Sequence, residues 1–203
     1  VPGMIQTETQ KLMLAGLLIM SIILLANLRS FPSVGMILLV IIMSMLSMIG
    51  FLGWIYHFTG SARFIFTFVN SSMLIVLLTI ANSDGVHIMS RFFREARKHK
   101  DVKQAITLTM NQLLLPIFLT SITTSAAFLT MLTSPIPSMA GYGLSIGFGI
   151  LWAWILSSIF LPSLINIKKW DFSTAALSKS SFLENIVYIF GRNILKRPKI
   201  ILL

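Results

Sequence analysis

The chain has 203 residues, of which 56% are hydrophobic and 11% charged, with a net charge of +10 and no cysteine. So apolar a composition excludes a soluble globular domain, and the lack of cysteine excludes a disulfide framework or a thiolate metal site. The positive charge does not mark a nucleic-acid binder, because the basic residues cluster between apolar runs, where they report membrane topology.

Apolar runs of about 20 residues match a hydrocarbon core of about 30 Å at about 1.5 Å per helical residue. The expected fold is all-α: a polytopic transmembrane helix bundle of five spans, a cytoplasmic amphipathic helix and the start of a sixth span. The first span is predicted over Leu12–Leu28, after the polar QTETQK, and the second over Val34–Tyr56. The third, Phe64–Met89, gives way to the basic loop RFFREARKHKDVK. The fourth starts as AITLTMNQLL and runs to Leu132, with Pro116 expected to kink it, because proline removes an N–H and crowds the preceding turn. After the two-proline loop TSPIPS, the fifth span covers Met139–Ile165. In SFLENIVYIFGRNIL, the residues Phe182, Ile186, Ile189 and Phe190 share one face, which predicts a helix lying on the membrane surface. The expected division is therefore 1–11 as the end of a periplasmic connector and 12–165 as the five-helix membrane domain. A cytoplasmic amphipathic linker follows over 166–199, and 200–203 open the next span, so the chain reads as an internal piece of a longer protein. The basic segments after spans three and five place those ends in the cytoplasm.

Asp84 is the one acid inside a long apolar stretch, whereas Glu8, Glu95, Asp101, Asp171 and Glu184 lie in polar ones. A carboxylate at membrane depth costs about 2.5–3.5 kcal/mol and normally faces a protein interior or a wet cavity. Asp84 is thus the candidate proton-binding group, with His87 at i+3 on the same side of the helix; the alternative is an interfacial charge paired toward Arg91. In span four, Thr120, Thr123, Thr124 and Ala127 follow i, i+3, i+4, i+7 and form a small, polar stripe that can serve a buried acid. Those hydroxyls can equally bond back to their own helix. Gly143 and Gly147 form a G-x-x-x-G expected to pack against a neighbouring helix. Trp54 suits the outer aromatic belt. No catalytic constellation, phosphate loop or metal-ligand cluster appears, so neither enzyme activity nor a cofactor is expected.

The stretches NSDGVHIMSRFFREARKHKDVKQAI and PIFLTSITTSAAFLTMLTSPIPSMAGYGLSIGFGILWAWILSSIFLPSLI resemble the resistance-nodulation-division superfamily, in its MMPL-type and predicted-exporter branch. The order of acid, basic loop, Thr-rich helix, Pro-containing outer loop, Gly-rich helix and closing Leu-Pro is similar throughout. The resemblance implies helices two to six of the first half of an exporter driven by the proton-motive force. Asp84 then takes the place of the family's proton-coupling acid, and Thr120, Thr123 and Thr124 that of its hydroxyl patch. Ser83 stands where the multidrug branch has a second acid, and Gly85 where mycobacterial lipid exporters have Tyr, so the Asp-x-x-His form resembles the predicted exporters more closely. The implied partners are the lipid bilayer, a hydrophobic or lipid-like substrate and the rest of the same polypeptide, with its periplasmic domain and second helical repeat. Further copies in a homo-oligomer are also compatible, and no nucleic acid is expected. The implied location is the inner (plasma) membrane of a bacterium. The five-helix unit also resembles the sterol-sensing domain, which makes a lipid- or sterol-sensing module without transport the rival reading.

Overall fold

The computed structural model describes residues 2–65 and 72–171, with side chains from residue 11 onward. Helix α1 covers Pro2–Leu28, α2 Phe31–Thr59, α3 Ser72–His99 and α4 Val102–Leu129. A 3-10 turn, Thr130–Thr133, leads to α5, Pro137–Ile155, which continues through a π-helical turn, Leu156–Phe160, into α6, Leu161–Ile167. Among the described residues, five stretches are long and apolar enough to cross a membrane: 11–28, 31–59, 72–99, 102–133 and 137–167. All-helical architecture follows from the solvent, because hydrocarbon offers backbone N–H and C=O groups no partner except their own helix. The amphipathic helix expected within 166–199 and the sixth span lie outside the described residues.

The helix ends depart from expectation in an instructive way. The segment RFFREARKH is not a loop but the last turns of α3. Arg and Lys are good helix formers, and their long side chains reach water from a helix that outruns the hydrocarbon. The α1 helix likewise extends back through QTETQK to Pro2. Pro116 lies inside α4, where a proline kink leaves the helix continuous. Connections on the basic side are short: Arg29 (φ 50°) and Lys100 (φ 54°) adopt left-handed backbone. Each donates its N–H to a closing carbonyl, Leu25 O at 2.8 Å and Ala96 O at 2.9 Å. Asp101 then caps α4, accepting from the N–H groups of Lys103 and Gln104.

The core is formed by α2, α3 and α5, whose most apolar stretches are 39–44% buried, whereas those of α1 and α4 are 11% and 17% buried. Ile37, Ile41 and Met48 of α2, Met73, Leu77 and Ile88 of α3, and Ile146 and Ile150 of α5 are all fully enclosed. Glycines on α5 set the distances. A Cβ at Gly143 would strike the carbonyl oxygen of Phe128 on α4, and one at Gly147 would lie 3.0 Å from Leu129 Cγ. On other sides of the helix, a Cβ at Gly141 would lie 2.6 Å from Arg63 O, and one at Gly149 would lie 3.0 Å from Met48 Sδ. Ser125 Oγ of α4 donates to Gly147 O at 2.8 Å, a contact that needs this close approach. Phe51 stacks on Phe148 at 3.8 Å, joining α2 to α5. Trp54 is 63% exposed and meets Phe58 edge-on, as an interfacial anchor would.

Replacing Gly143 by Ala adds helix propensity but forces α4 and α5 apart, and overpacking of this kind costs about 1–3 kcal/mol. Gly53→Ala makes the same local change where nothing lies within 4 Å of the new methyl. Thermal unfolding in detergent should therefore destabilise Gly143→Ala and leave Gly53→Ala unchanged or slightly stabilised by up to about 1 kcal/mol.

Candidate functional site

The buried face of α3 reads Leu77, Ala81, Asp84, Gly85, Ile88 and Phe92, a helical period with one carboxylate in it. Gly85 lets α2 approach: a Cβ there would meet Ile37 at 3.0 Å. That contact fixes the rotation of α3 and turns Asp84 toward α4. Asp84 is only 7% exposed. It opens on a cavity of about 500 Å³ between α3 and α4. Ser83 and His87 border the cavity from α3; Pro116, Thr120, Ser121 and Thr124 border it from α4.

Two polar atoms in this wall have no hydrogen-bond partner within the protein, Asp84 Oδ2 and Ser121 Oγ. Buried polar atoms are nearly always satisfied, and an unsatisfied one costs about 1–3 kcal/mol. The threonines do not spend their hydroxyl protons on the acid. Thr120 Oγ1 donates to Ile117 O at 2.8 Å, and Thr124 Oγ1 donates to Thr120 O at 2.7 Å. Their oxygens remain as acceptors at the cavity wall.

The structure thus brings Asp84, His87, Thr120 and Thr124 around one cavity, with His87 exposed at its rim. Thr123 does not belong to the group. It is exposed, and its hydroxyl donates back to Leu119 O at 2.8 Å. The reason is angular: α4 buries Ile117, Ser121 and Ser125, at i, i+4 and i+8. Thr120 and Thr124 flank that row, and Thr123 is turned away from it. Gly143 and Gly147 lie at the α4–α5 contact, away from this cavity.

Sequence reading overlooked three groups. Ser121 and Ser125 were hidden among more conspicuous threonines, although their spacing of four marks a face. The third is Glu95, which sits in a run of charges yet is only 4% exposed. Its Oε1 pairs with Arg91 Nη2 at 2.9 Å, with Lys98 Nζ at 3.8 Å, and its Oε2 lies 3.7 Å from His99 Nε2. The basic end of α3 is therefore built around one acid, whose i−4, i+3 and i+4 partners were readable in the sequence.

Membrane-long helices packed around an enclosed carboxylate define a multi-pass helical membrane protein. The MMPL family model matches residues 2–199, and the chain belongs to that family. A protein of Methanocaldococcus jannaschii, described only as a membrane protein, is 29% identical over 94 residues, 46% of this chain and 24% of its own length. Human dispatched homolog 1 is 26% identical over 113 residues, 55% of this chain and 7% of its own. The mouse protein of that name is 28% identical over 102 residues, 49% of this chain and 7% of its own. The chain thus spans at most about a quarter of the length of these relatives, which come from an archaeon and from two mammals.

Two stability measurements test this geometry. Asp84→Asn removes a buried carboxylate that has an unpaired oxygen, so its unfolding midpoint should equal or exceed that of the parent. A fall of more than about 2–4 °C, roughly 1 kcal/mol for a chain this long, would reveal a stabilising partner for the acid. Glu95→Gln should behave oppositely. It leaves Arg91 half-buried beside other cations, and a loss of about 1–2 kcal/mol is expected, the fully buried value being larger.

Proposed function

We propose that this chain is the membrane half of an exporter of lipids or other hydrophobic or amphiphilic molecules, driven by the proton-motive force, with Asp84 as the proton-coupling carboxylate. The observation that carries the reading is Asp84 itself: a buried acid with an unpaired oxygen, at a hydroxyl-lined cavity within an apolar span. Nothing in the packing of α3 requires an acid there, since the adjoining buried positions are filled by Ala81, Gly85 and Ile88. A costly group without a structural task is a functional candidate. Membership of the MMPL family supports the same reading.

In this mechanism the carboxylate alternates between two states that its surroundings treat differently. Ionised, it presents two acceptors to a cavity bordered by its neighbours' oxygens and by His87. Protonated, it gains an O–H that can donate to Ser121 Oγ, Thr120 Oγ1 or Thr124 Oγ1. Thr120 Oγ1 and Thr124 Oγ1 can accept while their own protons stay on helix carbonyls, and Ser121 Oγ has no other protein partner. Binding one proton therefore replaces repulsion between Asp84 and the threonine oxygens by a hydrogen bond. A two-state change in how α3 and α4 pack can then be biased by the proton gradient and transmitted to the rest of the polypeptide. Residues 12–165 act as the membrane domain in this scheme, with the basic ends in the cytoplasm.

Proteoliposomes holding the intact protein test the proposal. An imposed pH gradient should drive movement of a fluorescent amphiphile with wild-type protein, and Asp84→Asn should reduce that movement to the protein-free background. Asp84→Glu, which keeps the titrating group, should retain measurable transport. Normal gradient-driven export by Asp84→Asn would sink the proposal. Saturable amphiphile binding that ignores the gradient, with no movement in the wild type, would mark a sensor module instead.

A further inference from the structure

The last span does not run straight out of the bundle. After Ile167 the backbone becomes extended at Lys168 (φ −73°, ψ 132°), and Trp170 folds back against the helix ends. Its Nε1–H donates to Ile165 O at 2.8 Å. Its ring lies 5.3 Å from that of Phe92 and 5.6 Å from that of Phe93, both on α3. Those two phenylalanines are buried, so the indole is held by two helices. Lys168 and Trp170 are two apart in an extended segment and share a side. Lys168 Nζ accordingly lies 4.2 Å from the centroid of the indole ring. Lys169, between them, falls on the opposite side and is exposed.

We propose that Lys168 on this indole shelf is the headgroup site for one anionic phospholipid, its phosphodiester against the ammonium and an acyl chain along the lipid-facing side of the last span. The ammonium lacks a counter-ion. Among the described residues no carboxylate pairs with Lys168, whereas Arg91 and Lys98 share Glu95. An aromatic face attracts a cation but does not neutralise it. Partial burial also pushes the Lys168 ammonium below the ordinary lysine value, a cost that an adjacent anion offsets.

The position suits a headgroup. Lys168 follows directly on the last residue of the span, on the basic side of the bundle. Basic groups at that level attract anionic lipid, and pockets between helix ends there suit its headgroups. Ile159, Ser163 and Ile167 recur at i, i+4 and i+8 and are exposed, Ile159 by 67% and Ile167 by 78%. This mostly apolar strip ends at Lys168, so a chain lying on it brings its phosphate to the ammonium. An acidic protein segment has no use for such a strip, which favours lipid as the source of the anion. The ring contact already restrains a side chain that is otherwise flexible, so binding orders less of it.

The inference goes beyond the export reading and stands whether or not Asp84 couples a proton. Its test uses the intact protein in phosphatidylcholine nanodiscs, with and without phosphatidylglycerol. Native mass spectrometry of protein released from the mixed discs counts the phosphatidylglycerol retained. Lys168→Gln should weaken retention about fivefold, the usual worth of one basic residue at an anionic surface, and Lys168→Arg should preserve it. Lys100 is exposed in the turn after α3, and Lys100→Gln should change retention less than about twofold, as for a screened surface charge. A second readout needs no variant. Acylation of lysine amines, followed residue by residue, should slow at Lys168 relative to Lys100 when phosphatidylglycerol is present, because a neighbouring anion keeps the amine protonated. Inorganic phosphate added to pure phosphatidylcholine discs should leave that ratio unchanged, which separates a lipid headgroup from a free anion. Equal losses in Lys168→Gln and Lys100→Gln, equal protection by inorganic phosphate, or acylation of Lys168 indifferent to phosphatidylglycerol would overturn the site.

Discussion

In hydrocarbon, helices gain little from burying apolar surface, because the lipid is as apolar as they are. This bundle depends instead on how closely other backbones can approach α5. Its glycines face more than one neighbour: Gly141 lies under the backbone of Arg63, Gly143 and Gly147 against α4, and Gly149 against Met48 and Leu77. With side chains at these points, α2, α3 and α4 could not all reach α5. The Ser125 hydroxyl could not reach Gly147 O, and dispersion between close-packed helices, the main attraction available, would be lost. Everything at the α3–α4 cavity inherits its dimensions from that contact.

A bundle fixed this tightly can tolerate one badly placed group. Asp84 occupies a position that Leu or Ala would fill at no electrostatic cost, and its Oδ2 stays unpaired. Among the described residues, two other acids are placed conventionally: Asp101 caps a helix, and Glu95 is surrounded by Arg91, Lys98 and His99. The contrast isolates Asp84 as the exception, and exceptions to local consistency concentrate where function outweighs stability.

The spans were legible in the sequence because hydropathy over about 20 residues integrates a strong signal. The family was legible because several motifs recur in fixed order. Helix ends were not, since hydropathy marks where the hydrocarbon stops rather than where the helix does; α3 runs on to His99 through nine residues that read as a loop. Asp84 stood out by contrast with its neighbours, whereas Glu95 was concealed by similarly charged ones. Thr123 was grouped with Thr120 and Thr124 by spacing alone. Periodicity assigns residues to a face, but which face is buried depends on the partner helix. Here the partner's demand for small residues selected Ser121 and Ser125, one position on from Thr120 and Thr124.

The backbone ladders are interrupted at the level of the cavity. Pro116 lines the cavity and lacks the N–H that would complete a turn of α4. In the last span the π-helical turn Leu156–Phe160 immediately precedes Pro162, and a turn widened to i→i+5 bonding is one way to carry a helix past a proline. The two irregular segments are in register, because Phe118, two residues after Pro116, packs on Trp154, two residues before the π turn, at 4.8 Å. Helices bend where their hydrogen-bond ladder is already incomplete. A change in the charge of Asp84 would therefore act on a stretch of α4 where bending breaks the fewest bonds, with the adjoining stretch of the last span similarly loosened. The glycine-locked contacts at Gly143 and Gly147 hold the other end of the α4–α5 pair fixed, and a helix pair clamped at one end and softened at the other converts a local change in attraction into a tilt.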